Sequence, residues 1–346
     1  MRRFSLIAAA LAAALLIAGS AFGGIADDVF TVHNLVSDTA DATLVNGWGL
    51  SAGPTTPWWV SDNGKSATTL YNGSGAKQAL TVSVPGGPTG TVFNGAATDF
   101  VISQNGKTGA ARFLFATEGG TILGWSPAVN AATAIPGVDR SASGAVYKGL
   151  TTAGDRLYAT DFHNNRVDVF DASFNPVTTA PFKDPKLPKG YAPFGIQALA
   201  GSIFVTYAKQ DAAKHDEVAG NGFGYVDQYS LDGQLVARVA SGGRKTAPPN
   251  APWGLALAPS SFGVFSGDLL IGNFGNGRVS AYQDRGGGKW VFKGQLRHGD
   301  QTLVEIDGLW AIAFGNGAAA GPATSLYFAA GPAGETHGLF GSITAG

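Results

Sequence analysis

The chain has no cysteine among its 346 residues. That excludes disulfides, zinc–thiolate sites, a thiol nucleophile and a lipid-modified cysteine anchor, so the fold must be held by its core alone. Charge is scarce as well, with Asp, Glu, Lys and Arg making up 14% of residues, and only five histidines are present. Those histidines, His33, His163, His215, His298 and His337, show neither H-x-H nor H-E-x-x-H spacing, so no sequence-local zinc site exists. Phosphate-binding glycine loops and the D-x-[DN]-x-[DN]-G calcium loop are missing too. The one G-x-S-x-G match, at 49–53, lies in a strand-like segment followed by Pro54, where a nucleophile elbow needs a strand, a sharp turn and a helix.

Long apolar runs are absent after the first residues. Arg2 and Arg3 precede an apolar stretch at 6–18, and small residues follow at Gly19, Ser20 and Ala21, with a second candidate cleavage point near Ala26. This pattern reads as a bacterial-type secretory signal over residues 1–26, with one domain over 27–346 in the periplasm or outside the cell. Removing Arg2 and Arg3 leaves 21 basic against 24 acidic residues, a net charge of −3. That balance carries no nucleic-acid footprint.

Glycine is abundant, at 51 residues, as in chains built of strands and tight turns. The plan is clearest at 251–283, where three short β-rich runs are separated by Gly, Asn and Ser and a fourth follows at 290–296. Four antiparallel strands in sequence make one propeller blade. An inner-strand pattern recurs as WGLSAG (48–53), TDFVIS (98–103), KGLTTA (148–153), FGIQAL (194–199), WGLALA (253–258) and WAIAFG (310–315). Each copy is followed by a second and a third strand, and five fourth strands are expected. The spacing predicts an all-β, six-bladed propeller of four-stranded antiparallel blades. The segment FTVHNLVS (30–37) belongs to no blade of its own and is expected to complete the last one, since an open ring would expose sheet edges.

Aligned copies place Gly49, Asp99, Gly149, Gly195, Gly254 and Ala311 in one column, five of them small enough for close packing near the axis. A carboxylate there should be buried and in need of a partner or a cation, which singles out Asp99. The next column, Leu50, Phe100, Leu150, Ile196, Leu255 and Ile312, is apolar throughout. Loops opening on one face carry polar residues, of which Asp99, Glu118, Asp161, His163, Asn273 and Asp307 form the candidate rim, although tight-turn chemistry alone also favours Asn and Asp there. Oxygen ligands of this kind suit calcium or another divalent cation, with Asp99, Asp161 and Asn273 as metal candidates. One loop, 208–224, is far longer than its sisters and holds Lys209, Asp211, Lys214, His215, Asp216 and Glu217. Long loops in compact domains tend to be functional, so these six are candidates for a lid. The tryptophans at 48, 58, 59, 253 and 310 read as core.

NLVSD (34–38), NGWGL (46–50), VSDNG (60–64), YAPFGIQ (191–197), KHDEVAG (214–220) and GLWAIAFGNG (308–317) together resemble a family of uncharacterised bacterial secreted proteins. The resemblance covers nearly all of the chain after the signal and implies an exported six-bladed propeller without an established activity. More distantly the blade pattern is similar to NHL-repeat propellers and the gluconolactonase-type fold. The latter resemblance implies a divalent cation held by Glu and Asn or Asp, and it extends to the fold alone. Two functions are carried forward. The first is a monomeric binding module for a small ligand or an envelope protein. The second is a metal-dependent hydrolase or lactonase working at the channel mouth, with a carboxylate or His163 as base.

Overall fold

A computed structural model describes residues 29–346; the predicted secretory signal lies outside them. Six antiparallel sheets follow one another around the ring. Their inner strands are Gly47–Ser51, Pro88–Phe93, Tyr147–Ala153, Tyr191–Leu199, Pro252–Leu257 and Leu309–Phe314. Contacts run from each inner strand to the next and back from the sixth to the first, which closes the torus. The last blade takes its outer strand from the other end of the described chain. Phe30–Ser37 pairs with Leu339–Ala345 in antiparallel register from Phe30↔Ala345 to Ser37↔Leu339, with one bulge between Asn34 and Val36.

Two expectations are corrected. Residues 98–103 are not the inner strand of blade 2. That strand is Pro88–Phe93, whereas Val101–Gln104 pairs with Lys107–Ala110 as a separate hairpin inserted before the blade's second strand. The hairpin carries Ile102 into a core cluster with Ala111 and Leu114, so its apolar alternation is real but serves packing outside the ladder. The third sheet, Tyr147–Ala153, Arg156–Asp161 and Arg166–Phe170, has three strands. Residues 171–190 run where a fourth strand would lie, and Pro176, Pro181, Pro185 and Pro188 deprive that segment of ladder donors. Phe182, 4% exposed, instead drives its ring between Tyr158 and Tyr229 at centroid distances of 5.8 and 5.2 Å.

All six inner strands share one irregularity near their start. Pairing to the second strand skips two residues between Gly47 and Leu50, Pro88 and Thr91, Tyr147 and Leu150, Pro193 and Ile196, Pro252 and Leu255, and Leu309 and Ile312. Breaks of this kind turn a side chain out of the pleat. The second skipped residue is Gly49, Gly90, Gly149, Gly195, Gly254 or Ala311, so the small-residue column is complete once Gly90 takes the place of Asp99. Its cause is steric. A Cβ on Gly195 would stand 2.1 Å from the Trp253 carbonyl oxygen of the next blade, and one on Gly49 would stand 2.2 Å from that of Thr89. Hydroxyls of the second strand complete the arrangement, Thr160 Oγ1 accepting from Gly149 N at 2.6 Å and Thr206 Oγ1 from Gly195 N at 2.7 Å.

Candidate functional site at the channel mouth

The first skipped residues, Trp48, Thr89, Lys148, Phe194, Trp253 and Trp310, stand side by side around the axis. Aromatic rings dominate the set. Trp48 stacks on Trp310 at 3.7 Å, Phe274 stacks on the Trp310 ring at 3.9 Å, and Trp253 meets Trp310 edge-on at 6.1 Å. Such pairs contribute about 0.5–1.5 kcal/mol each beyond area burial. One member of this aromatic column is a lysine, and that lysine is 0% exposed.

Buried ammonium groups require partners. Lys148 Nζ donates to Glu118 Oε1 at 2.6 Å and to Asp216 Oδ1 at 3.2 Å, and it lies 4.8 Å from the centroid of the Trp48 ring. Burial alone would depress the ammonium. The carboxylates of Glu118, Glu217 and Asp216 outweigh burial and hold it above the ordinary lysine range. Glu118 also accepts from Asn63 Nδ2 at 2.9 Å, and Asn46 Nδ2 donates to Glu335 Oε2 at 2.7 Å and to Asn63 Oδ1 at 3.3 Å. Trp310 Nε1 fixes the orientation of Asn46 by donating to its Oδ1 at 2.8 Å.

The mouth therefore gathers Glu118, Asp216, Glu217 and Glu335 around one cation. Burial and the neighbouring carboxylates act on Glu217 and Glu335. Desolvation pushes Glu217 up to about 8 against the pull of Lys148. Burial likewise raises Glu335 despite its bond from Asn46 and the field of Lys148. Asp216 goes the other way, because Lys148 and His215 overcome its burial.

The long loop delivers two of these carboxylates and is itself tied down. Gln210 and Glu217 pair across its base, Asp211 Oδ1 accepts from His215 N at 2.9 Å, and Gln210 Nε2 donates to the Phe162 carbonyl at 2.6 Å. Lys209 lies 4.2 Å above the Phe223 ring, and His215 Nδ1 is 2.8 Å from Asp216 Oδ1. Of the six lid candidates, Asp216 and Glu217 join the cluster and His215 reaches it through Asp216. Lys209 and Asp211 brace the loop, and Lys214 is an exposed residue with a φ of 58°.

Among the rim candidates only Glu118 belongs to this group. Asp99 is half-buried beside the inserted hairpin and accepts from Thr98 Oγ1 at 3.0 Å. Asp161 and Asn273 end the second strands of blades 3 and 5 and serve as turn braces: Asp161 Oδ1 accepts from Val146 N and Asn164 N at 3.3 and 3.2 Å, and Asn273 Oδ1 from Asn250 N at 3.0 Å. Asp307 is exposed and accepts from Ala333 N at 2.8 Å. His163 is half-buried, with its ring beside Gly144. Asp99, Asp161 and Asn273 are thus each engaged with partners of their own. Among the described residues the group suited to a cation is Glu118, His215 and Asp216, whose ligand atoms lie within 4.8 Å of one another. Lys148 already bonds two of the three, so an ion there would compete with its ammonium.

Glu217 makes the mouth pH-sensitive. Its folded value of about 8 lies above that of an unfolded glutamate, so the native state keeps a proton that the unfolded chain has released. Stability should therefore fall as pH rises from about 4.5 to about 8. Glu217→Gln removes the ionising group, and chemical denaturation should show the variant gaining on the order of 3 kcal/mol over the parent between pH 5 and pH 8.5. Parallel curves for the two proteins would contradict a half-buried Glu217 that keeps its proton.

A six-bladed ring closed by its first described strand, with a plugged channel and an acidic mouth, defines the class of this protein. No family model matches the chain. Curated proteins that it matches are uncharacterised proteins of a mimivirus, not members of the bacterial family that the sequence motifs resemble. Protein R640 of Acanthamoeba polyphaga mimivirus is 32% identical over 231 residues, 65% of this chain and 42% of R640. L690 of the same virus is 29% identical over 329 residues, 90% of this chain and 83% of L690. This chain thus spans less than half of R640. Among solved structures, a glucose dehydrogenase covers 91% of the chain at 13% identity, with a TM-score of 0.56 and all of its own length matched. A Bacteroides thetaiotaomicron protein of unknown function covers 92% at 12% identity, with a TM-score of 0.56 and 73% of its length matched. These likenesses extend to the fold alone.

Proposed function

We propose that this chain is an exported, non-catalytic binding module of the cell envelope or extracellular space, and that its acidic mouth takes a small cationic ligand or the cationic side chain of an envelope protein. One observation carries the reading: Glu118, Asp216, Glu217 and Glu335 face a single ammonium, and two of the four are pushed toward the protonated form. An incoming cation would let those two ionise, with the aromatic stack of Trp48 and Trp310 beneath it. Calorimetry with 1,4-diaminobutane tests this. Saturable binding should weaken about tenfold in Glu335→Gln and about tenfold per pH unit from pH 8 down to pH 6, as protons compete for Glu217. Heats that do not saturate, or that are indifferent to both changes, would remove the reading.

A second reading, a metal-dependent hydrolase or lactonase, keeps one observation of its own in the grouping of Glu118, His215 and Asp216. It requires a divalent cation to displace Lys148 from two carboxylates. Elemental analysis of the purified protein and its melting with and without a chelator separate the two readings. A retained ion and a melting temperature that falls on chelation favour the hydrolase.

A further inference from the structure

The channel has a second mouth, and its chemistry is the opposite of the first. Inner strands run from the acidic face to the other face, where their later residues enclose a cavity of about 300 Å³. That volume is at the lower end for small-molecule pockets. All six inner strands contribute to the wall. Leu50, Thr91, Leu150, Ile196, Leu255 and Ile312, the residues just after the six breaks in pairing, form a ring around it. Trp253 belongs both to this wall and to the aromatic layer beneath Lys148, so the plug of the acidic mouth is the floor of this cavity. No residue of the lining carries a charge.

Two features make the wall a recognition surface rather than a greasy hole. An inner strand is the free edge of its sheet, so alternate residues turn backbone N–H and C=O groups toward the axis. Gln197 adds a neutral amide that both donates and accepts. An ion would enter without a countercharge, which the desolvation cost forbids. A neutral molecule with an apolar body and an amide-like donor and acceptor meets both the aliphatic ring and the strand edges. We infer that this second mouth is a binding site for a compact, uncharged, amide- or carbonyl-bearing molecule, independent of the acidic mouth.

Ligand-observed NMR on the whole protein with ε-caprolactam tests it, with cyclohexylammonium and cyclohexanecarboxylate as charged probes of similar bulk. The lactam should saturate with a Kd of about 0.1–10 mM, as suits so few atoms, and each charged probe should bind at least about tenfold more weakly. Ala313→Leu, which adds bulk to the wall, should weaken lactam binding at least about tenfold. Gln197→Leu keeps the wall neutral and should weaken it about threefold to tenfold, which preserves the test if the first variant does not fold. Glu335→Gln should leave lactam binding unchanged. The inference is overturned if the lactam does not saturate, if either charged probe matches it, or if the folded wall variants bind it like the parent.

Discussion

Replacing Lys148 by methionine should cost the fold about 2–4 kcal/mol at pH 7.5 and much less at pH 4.5. The ammonium is fully buried between Glu118 and Asp216, whose side chains are 20% and 60% exposed. Methionine fills the space over Trp48 but cannot neutralise a carboxylate. Removing one partner of a buried pair costs about 3–5 kcal/mol, and the exposure of Asp216 lets water take over part of its share. Without the cation, Glu217 and Glu335, both raised by burial, lose the Lys148 field that opposes it. A raised carboxylate contributes least where it must ionise, so the deficit opens as pH climbs above about 4.5 and closes on acidification. Urea denaturation of parent and variant at the two pH values gives the comparison. Adding Glu118→Gln to Lys148→Met should restore about half the loss, since the two residues share one interaction. An equal cost at both pH values would mean that the lysine matters for packing rather than for charge.

Lys148 also shows where sequence reading stops. The repeated inner strand, the blade count and the closing strand were legible because each rests on local patterns: alternating apolar residues, glycine at a fixed position, and turn residues between runs. Blade 2 is hard to align from sequence because its inner strand, PTGTVF, carries a proline and two threonines, whereas the segment leading into the inserted hairpin offers the more apolar run FVI at 100–102. Blade 3 lost its fourth strand to four prolines that stand plainly in the sequence. The site is another matter. Its members come from blades 1, 2, 3 and 6 and from one loop, and only the recurring break in pairing turns Lys148 into the centre of the ring. Asp161 and Asn273 have the chemistry of ligands but occupy the last position of a second strand, where a short polar side chain braces the turn. Glu118 and the pair Asp216–Glu217 stand out by residue type and by loop length, signals that the sequence carries by itself. A cation in a column otherwise holding Trp, Phe and Thr was the available clue to Lys148, and it becomes readable once blade 2 is aligned on Gly90.

Closure of the ring can be tested at one side chain. Phe30 opens the strand that completes blade 6, is 1% exposed, and packs on Phe262 at 5.1 Å and, stacked, on Phe265 at 5.7 Å. Phe30→Ala should cost about 3–5 kcal/mol, the range for emptying a buried aromatic site. His33→Ala lies on the same strand, where an exposed imidazole meets Thr344 Oγ1 at 3.2 Å, and should stay within about 0.5 kcal/mol of the parent. The contrast separates side-chain burial from backbone pairing, which both variants keep. Because a torus has one seam, the loss at Phe30 should be felt first along it. In hydrogen exchange, the amides of Phe30–Ser37 and Leu339–Ala345 should lose protection together. Those of Lys77–Ser83, the outer strand of blade 1, whose four strands are continuous in the chain, should change only when the whole ring opens. A Phe30→Ala protein that is less than about 1 kcal/mol weaker, well below the range for an emptied aromatic site, or that exchanges faster everywhere alike, would mean that the first described strand decorates a ring that is closed without it.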